Sequence, residues 1–183
     1  MNRKTILVLY YTRGVYPLRN TIETHLYSWR KYSKHHVVYV NVALGFPERL
    51  LRRIEIDVVI FHTIFLGMRW SPEIFRRFTA ECFYLKDLDC IKIAMPQDEF
   101  INTELLNDFI NEFGISHLLT CAYDSDWSSI YDKIDRKKVK VQTVLTGYLD
   151  PETLAKIEQK KQQVRNRDID VGYRAWKADY WLG

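Results

Sequence analysis

Glycine and proline are scarce in this chain of 183 residues, with seven and five copies respectively. That argues against collagen-like, linker-rich or disordered organisation, because such segments lean on these residues and on few apolar ones. Cysteine is scarcer still. Cys82, Cys90 and Cys121 have neither metal-ligand nor redox spacing, so buried free thiols in a reducing compartment are expected. No apolar run approaches the ~18 residues a membrane-spanning helix needs. Arg3-Lys4 ahead of Ile6–Tyr11 imitates a signal peptide only faintly, since the apolar run is short and Thr12-Arg13 ends it without a small-residue cleavage site. A cytoplasmic protein is the expectation. Phosphate-binding glycine patterns are also missing. Gly14 stands alone after the first apolar segment, which excludes the usual dinucleotide and triphosphate loops.

What the chain has is apolar residues (47%) and aromatics, 12 Tyr, 9 Phe and 5 Trp among them. This suits one compact core with aromatics to spare for a rim or an interface. Charge is unevenly spread. Residues 1–53 carry 10 basic and 2 acidic side chains, residues 54–132 carry 5 and 14, and residues 133–183 carry 12 and 7. There is no uniformly basic face of the kind nucleic acid requires. The positive first third suits an anionic ligand or peripheral contact with an anionic membrane, and equally a set of solvated helix faces.

Six short apolar segments run into polar or aromatic tips. They are Thr5–Tyr11, His36–Val42, Asp57–Phe61, Ile91–Met95, Ile115–Cys121 and Val139–Leu145. Helix signals follow at least five of the tips. Asn20 and Glu23 have capping-box form ahead of a helix over Thr21–Tyr32, and Glu48–Ile54 reads as a short basic helix. Thr63–Trp70 reads as a long loop, and Ser71-Pro72-Glu73 as a helix start. Asn102 is expected to cap Thr103–Phe113, with Gly114 just past its end. Asp126 is expected to cap a helix through Ile134. Asp150-Pro151-Glu152 opens a charged helix to about Asn166, and Ile169–Gly172 looks like the start of another strand. Alternating strands and helices predict an α/β, three-layer domain with a mostly parallel sheet of about six strands. Its ligands would bind outside the carboxyl ends of the strands.

The rim then proposes the chemistry. Asp98 and Glu99 follow a strand and Pro96, where a carboxylate can serve as general base, and Gln97 beside them can orient a hydroxyl. His62 ends the third strand and offers proton transfer. Arg13, Tyr16, Arg19 and Asn20 stand by a helix start, where an anion is favoured. Arg69 and Trp70 together can clamp a sugar or an anion. Each has a plainer reading as a packing, capping or solvated residue. His25, His35 and His36 are placed wrongly for a shared metal, so neither metal nor cofactor is expected.

Several blocks resemble the amino-terminal half of bacterial GT-B-type glycosyltransferase-like proteins. They are YPLRNTIETHLYSW (Tyr16–Trp29), FHTIFLGMRWSPE (Phe61–Glu73), IAMPQDEFINTELLNDFINEFG (Ile93–Gly114), VLTGYLD (Val144–Asp150) and RDIDVGYRAWKADYWLG (Arg167–Gly183). The resemblance implies a Rossmann-like amino-terminal domain over 1–166 that takes the hydroxyl acceptor. Residues 167–183 would be a linker or the start of a missing carboxyl-terminal domain for the nucleotide-sugar donor. It further implies that Asp98, Glu99 or His62 handles the acceptor hydroxyl, that Arg13, Arg19 and Arg69 hold an anionic group, and that this chain alone is inactive. The glycine-rich turn common in that group is absent here. A non-enzymatic, flavodoxin-like binding or protein-interaction module is the alternative, and homo-oligomerisation stays open.

Overall fold

The computed structural model describes residues 2–14, 16–145, 147 and 150–163. The chain divides into two compact units, Met1–Tyr148 and Leu149–Gly183. The first is a six-stranded, all-parallel sheet with helices on both faces, a three-layer Rossmann-like α/β fold. Its strands are β1 (Thr5–Tyr10), β2 (His36–Asn41), β3 (Val58–Phe61), β4 (Ile91–Ala94), β5 (His117–Thr120) and β6 (Lys140–Thr143). They lie in the order β2-β1-β3-β4-β5-β6. In the second unit α7 (Pro151–Gln163) is described, and it carries no buried residue. The expected continuation of that helix to Asn166, the strand start at Ile169–Gly172 and the tip residues Thr146 and Tyr148 lie outside the described residues. Among the described residues, no helix is long and apolar enough to cross a membrane.

Both faces of the sheet are apolar because each strand alternates its side chains between two cores. Ile6, Val8, Tyr10 and Ile60 face α1 (Asn20–Tyr32), which buries Leu26 among them. Leu7, Leu9, Val59, Phe61, Ala94 and Leu118 face the other way, toward α4 (Pro72–Glu81) and α5 (Thr103–Glu112). There Phe109 stacks on Phe113 at 4.5 Å between ring centroids and meets Phe61 edge-on at 4.9 Å. β2 and β6 are the edge strands, and β6 is largely exposed.

Helix α5 stops as expected at Gly114. This residue has φ +62°, where an L side chain is strained, and the amides of Gly114 and Ile115 bond to the carbonyls of Asn111 and Ile110. Of the capping expectations, Asn102 and Asp126 take the expected cap positions without a side-chain cap bond, and Asn20 does not take its position. Asn20 lies inside α1 rather than capping it, and Arg19 takes the cap position without a side-chain bond. Asn102 precedes α5 but sends its amide to the Arg69 carbonyl. Asp126 ends a 3₁₀ turn and stands at the cap position of α6 (Trp127–Ile130), which stops at Ile130 rather than at Ile134.

The expected loop after β3 is the larger correction. Thr63–Leu66 is a helical turn, α3, and Gly67–Trp70 continues it as 3₁₀. The His62 Nδ1 accepts the Ile64 amide as an N-cap, and Phe65, Leu66 and Met68 are buried. Burial of those three apolar groups outweighs a local composition that favours a loop.

Candidate functional site

All six strands point the same way, so their downstream ends share one rim. The sheet order changes direction at β1. β2 lies on one side of it and β3 on the other, and α1 and α4 leave toward opposite faces. A crevice at the β1/β3 ends is the expected result of that divergence. A cleft of about 380 Å³ opens there. The tip of β1 contributes Tyr11 and Arg13, and the loop after β4 contributes Gln97 and Asp98. The helical turns after β3 supply most of the wall, with Thr63, Ile64, Gly67, Met68, Trp70, Ser71 and Ile74. Of the ten residues proposed from sequence, Arg13, Trp70, Gln97 and Asp98 meet in this cleft.

Arg69 does not line it. It is 1% exposed and ties two walls together from behind. Its Nη1 donates to the Leu66 carbonyl at 2.9 Å, and its Nη2 to the carbonyls of Gln97 and Asp98 at 3.2 and 3.3 Å. Nε reaches the Ile101 carbonyl at 3.5 Å, and Asn102 Nδ2 donates back to the Arg69 carbonyl at 2.6 Å. Burial pulls the Arg69 guanidinium below its ordinary range, while Tyr131, Glu99 and Asp98 oppose that shift. Arginine stays charged in either case.

This lock holds Asp98 at φ +54°, a backbone conformation that Asp tolerates better than most residues. Among the described residues its half-buried carboxylate accepts no hydrogen bond and forms no ion pair. It lines the cleft as an acceptor open to a ligand hydroxyl. Glu99 is placed differently, at 6% exposure. Its Oε1 accepts from Thr120 Oγ1 and from the Cys121 amide, both at 2.8 Å, so it ties the β4 loop to the end of β5. Tyr131 supports the same network by donating to Thr120 Oγ1 at 2.9 Å.

His62 is 1% exposed and does not line the cleft. With Nδ1 accepting the Ile64 amide, its proton sits on Nε2, which has no hydrogen-bond partner among the described residues, and its ring lies 4.8 Å from that of His25. Burial, with His25 nearby, pushes its pKa down to about 3. The folded value lies below the ordinary ~6.5, so the unfolded chain binds the proton first. The stability of the neutral imidazole is complete above about pH 6.5 and drains away as pH falls toward 3. Replacing His62 with Asn keeps a cap acceptor and removes the titration. The expected result is that urea unfolding of His62→Asn loses about 2 kcal/mol less than wild type between pH 7.5 and pH 5. An unchanged pH slope would remove His62 as the acid-sensitive group.

Of the remaining candidates, Tyr16 joins a hydrogen-bonded network at the tip of β1. Asn41 pins the tip of β1, accepting the Thr12 amide at 3.0 Å and donating to the Thr12 carbonyl and hydroxyl at 2.9 Å each. The Tyr16 hydroxyl joins them, 3.4 Å from Thr12 Oγ1 and 3.3 Å from the Tyr10 hydroxyl. Hydrogen bonds from Thr12 and then Tyr10 hold the Tyr16 phenol below its ordinary range, while burial raises that of Tyr10. Arg13 Nε donates to the Tyr11 hydroxyl at 3.3 Å, which orients its guanidinium at the mouth. Arg19 and Asn20 are exposed at the start of α1 and do not line the cleft. Among the described residues, no three His, Cys, Asp or Glu side chains gather as a metal site would require.

The apolar wall, Ile64, Met68 and Ile74, was not singled out from sequence. Its only signal there is aliphatic residues interrupting a segment otherwise read as loop. Comparison with family models, curated proteins and solved structures produced no match.

Proposed function

We propose that this chain is the acceptor-side domain of a sugar-nucleotide-dependent glycosyltransferase, working with a second domain that binds the donor. One observation carries this reading. The crevice at β1/β3 brings together an aromatic ring, an amide, an available carboxylate and a guanidinium over an apolar wall, through Trp70, Gln97, Asp98 and Arg13. Apolar walls with a few convergent polar groups suit a small ligand, and a sugar has both apolar and hydroxylated faces. The amino-acid blocks that resemble GT-B-type amino-terminal domains point the same way.

In this scheme the acceptor hydroxyl lies against Asp98, which takes its proton as the oxygen attacks the anomeric carbon of the donor. The bond from that carbon to the diphosphate breaks, and the nucleoside diphosphate leaves into the second domain. Trp70 and Gln97 orient the acceptor, and Arg13 faces an anionic group on acceptor or donor. Glu99, Arg69 and His62 hold the frame. Cys82, Cys90 and Cys121 remain thiols, in keeping with a cytoplasmic setting.

Calorimetry on the chain tests the assignment. UDP-glucose, UDP-N-acetylglucosamine and GDP-mannose are expected to bind more weakly than about 1 mM, or about −4 kcal/mol. Micromolar binding of any of them would overturn the acceptor-side assignment. Methyl glycosides of the common hexoses are the positive arm. Asp98→Asn is expected to weaken the best of them about tenfold, the scale of one hydrogen bond to a charged group. Melting temperature should not move, because Asn also tolerates positive φ. The order β2-β1-β3-β4-β5 is that of flavodoxin-like modules and favours a second reading, a non-catalytic binding domain. On that reading Asp98→Asn still weakens binding but leaves the turnover of a protein that joins this chain to a donor-binding domain unchanged, whereas the acceptor-side reading expects turnover to fall at least tenfold, about 1.4 kcal/mol.

A further inference from the structure

Beyond the ridge formed by Gln97 and Asp98 lies a second hollow of about 260 Å³. The same two residues wall both spaces, and Phe100, Cys121, Ala122 and Ile130 line the far side. The fold makes the two hollows neighbours. The cleft lies over the ends of β1, β3 and β4, the second hollow over those of β4 and β5, and these strands are adjacent in the sheet. With strands about 4.8 Å apart, β1 and β5 are about 14 Å apart along the rim.

We propose that the ligand of this rim is an extended saccharide that crosses the Gln97-Asp98 ridge, with one unit against Trp70 in the cleft and the next against Phe100 in the second hollow. This rests on the glycosyl-acceptor reading and adds the substrate class, an oligosaccharide rather than a monosaccharide or a small aglycone.

Three observations carry it. Phe100 is 66% exposed and Trp70 39%, so each side of the ridge offers an aromatic ring. Such rings lose unfavourable hydration when an apolar face covers them, and a pyranose presents a face of C–H groups. Among the described residues, the lining of the second hollow has no lysine or arginine, and its charged groups, Asp98 and Glu99, are acidic. That chemistry disfavours phosphate or nucleotide and suits a neutral, hydroxyl-rich group. The ridge is also held from both sides. Arg69 fixes the carbonyls of Gln97 and Asp98, and Glu99 is tied to Thr120 and Cys121. Both hollows therefore exist before any ligand arrives, and Asp98 lines both of them.

The test is calorimetry on the chain. The probes are methyl glycosides of glucose, N-acetylglucosamine, galactose and mannose, with the α- and β-1,4-linked disaccharide and trisaccharide of each. In at least one series the disaccharide is expected to bind ten times or more tighter than the monosaccharide. Phe100→Ala should abolish that gain and leave the monosaccharide affinity unchanged, and Phe100→Tyr should keep the gain. Trp70→Ala should weaken every member of the series. A monosaccharide that binds with no gain from a second unit, or a gain that survives Phe100→Ala, overturns the extended ligand and leaves the acceptor reading standing. If no saccharide in any series binds, both fall together.

Discussion

Arg69→Ala is expected to destabilise the chain by about 3–5 kcal/mol, the range for removing one partner from a buried charged network. At about 2–4 °C per kcal/mol for a protein of this size, the melting temperature should fall by about 10 °C. The side chain is 1% exposed and donates to carbonyls at residues 66, 97, 98 and 101. Truncation leaves those carbonyls without their charged donor and removes the positive charge that Glu99 and Asp98 favour. Orphaned buried polar groups are costly. Arg69→Lys should recover less than half of the loss, because one ammonium cannot reproduce a planar fork that serves both the β3 and the β4 loops. Saccharide binding should be lost in Arg69→Ala even at temperatures where the fold persists, since the loop carrying Asp98 is no longer held. Thermal unfolding of wild type and the two variants decides the matter. A lysine variant within about 1 kcal/mol of wild type would show that charge, and not the fork, is what the site needs.

Phe109→Ala is the second large effect, also about 3–5 kcal/mol. Phe109 touches four other rings. It stacks on Phe113 at 4.5 Å and meets Phe61 at 4.9 Å, Phe75 at 5.5 Å and Phe65 at 6.2 Å. These rings belong to β3, α3, α4, α5 and the end of α5, so a cavity at Phe109 loosens the supports of the whole β3 side at once. Phe109→Leu should cost about half as much, because it preserves most of the apolar volume. Both variants should keep the denaturant slope of wild type if unfolding stays two-state, so the loss should appear in the urea midpoint. Binding to the cleft should be weakened less than by Arg69→Ala, since Phe109 lines neither hollow and holds none of the carbonyls of the loop carrying Asp98. Equal losses of binding in the two variants would mean that general loosening, rather than the Arg69 lock, governs the site.

The parallel sheet and its rim could be read from residues near one another in the chain. Thr5–Tyr10 is buried on both faces, and a continuous apolar run is what that burial demands. Gly114 likewise announced the end of α5 from its local backbone requirement alone. The stretch after β3 resisted the same treatment. The composition of Thr63–Trp70, with Gly67 inside it, suggests a loop, yet Phe65, Leu66 and Met68 find a core made by other segments and hold it as helical turns.

The polar residues separate most sharply. Arg69, Glu99, His62 and Asp98 all belong to types that do chemistry, and nothing in the adjacent sequence ranks one above another. Asp98 emerges as the available group because the partners of the others come from elsewhere. Arg69 is answered by carbonyls about thirty positions away, Glu99 by Thr120 and Cys121, and the His62 ring by His25. A backbone preference is set by immediate neighbours, so it travels with the linear chain. Whether a polar side chain is satisfied depends on atoms that arrive only when the sheet assembles, so that property belongs to the folded molecule.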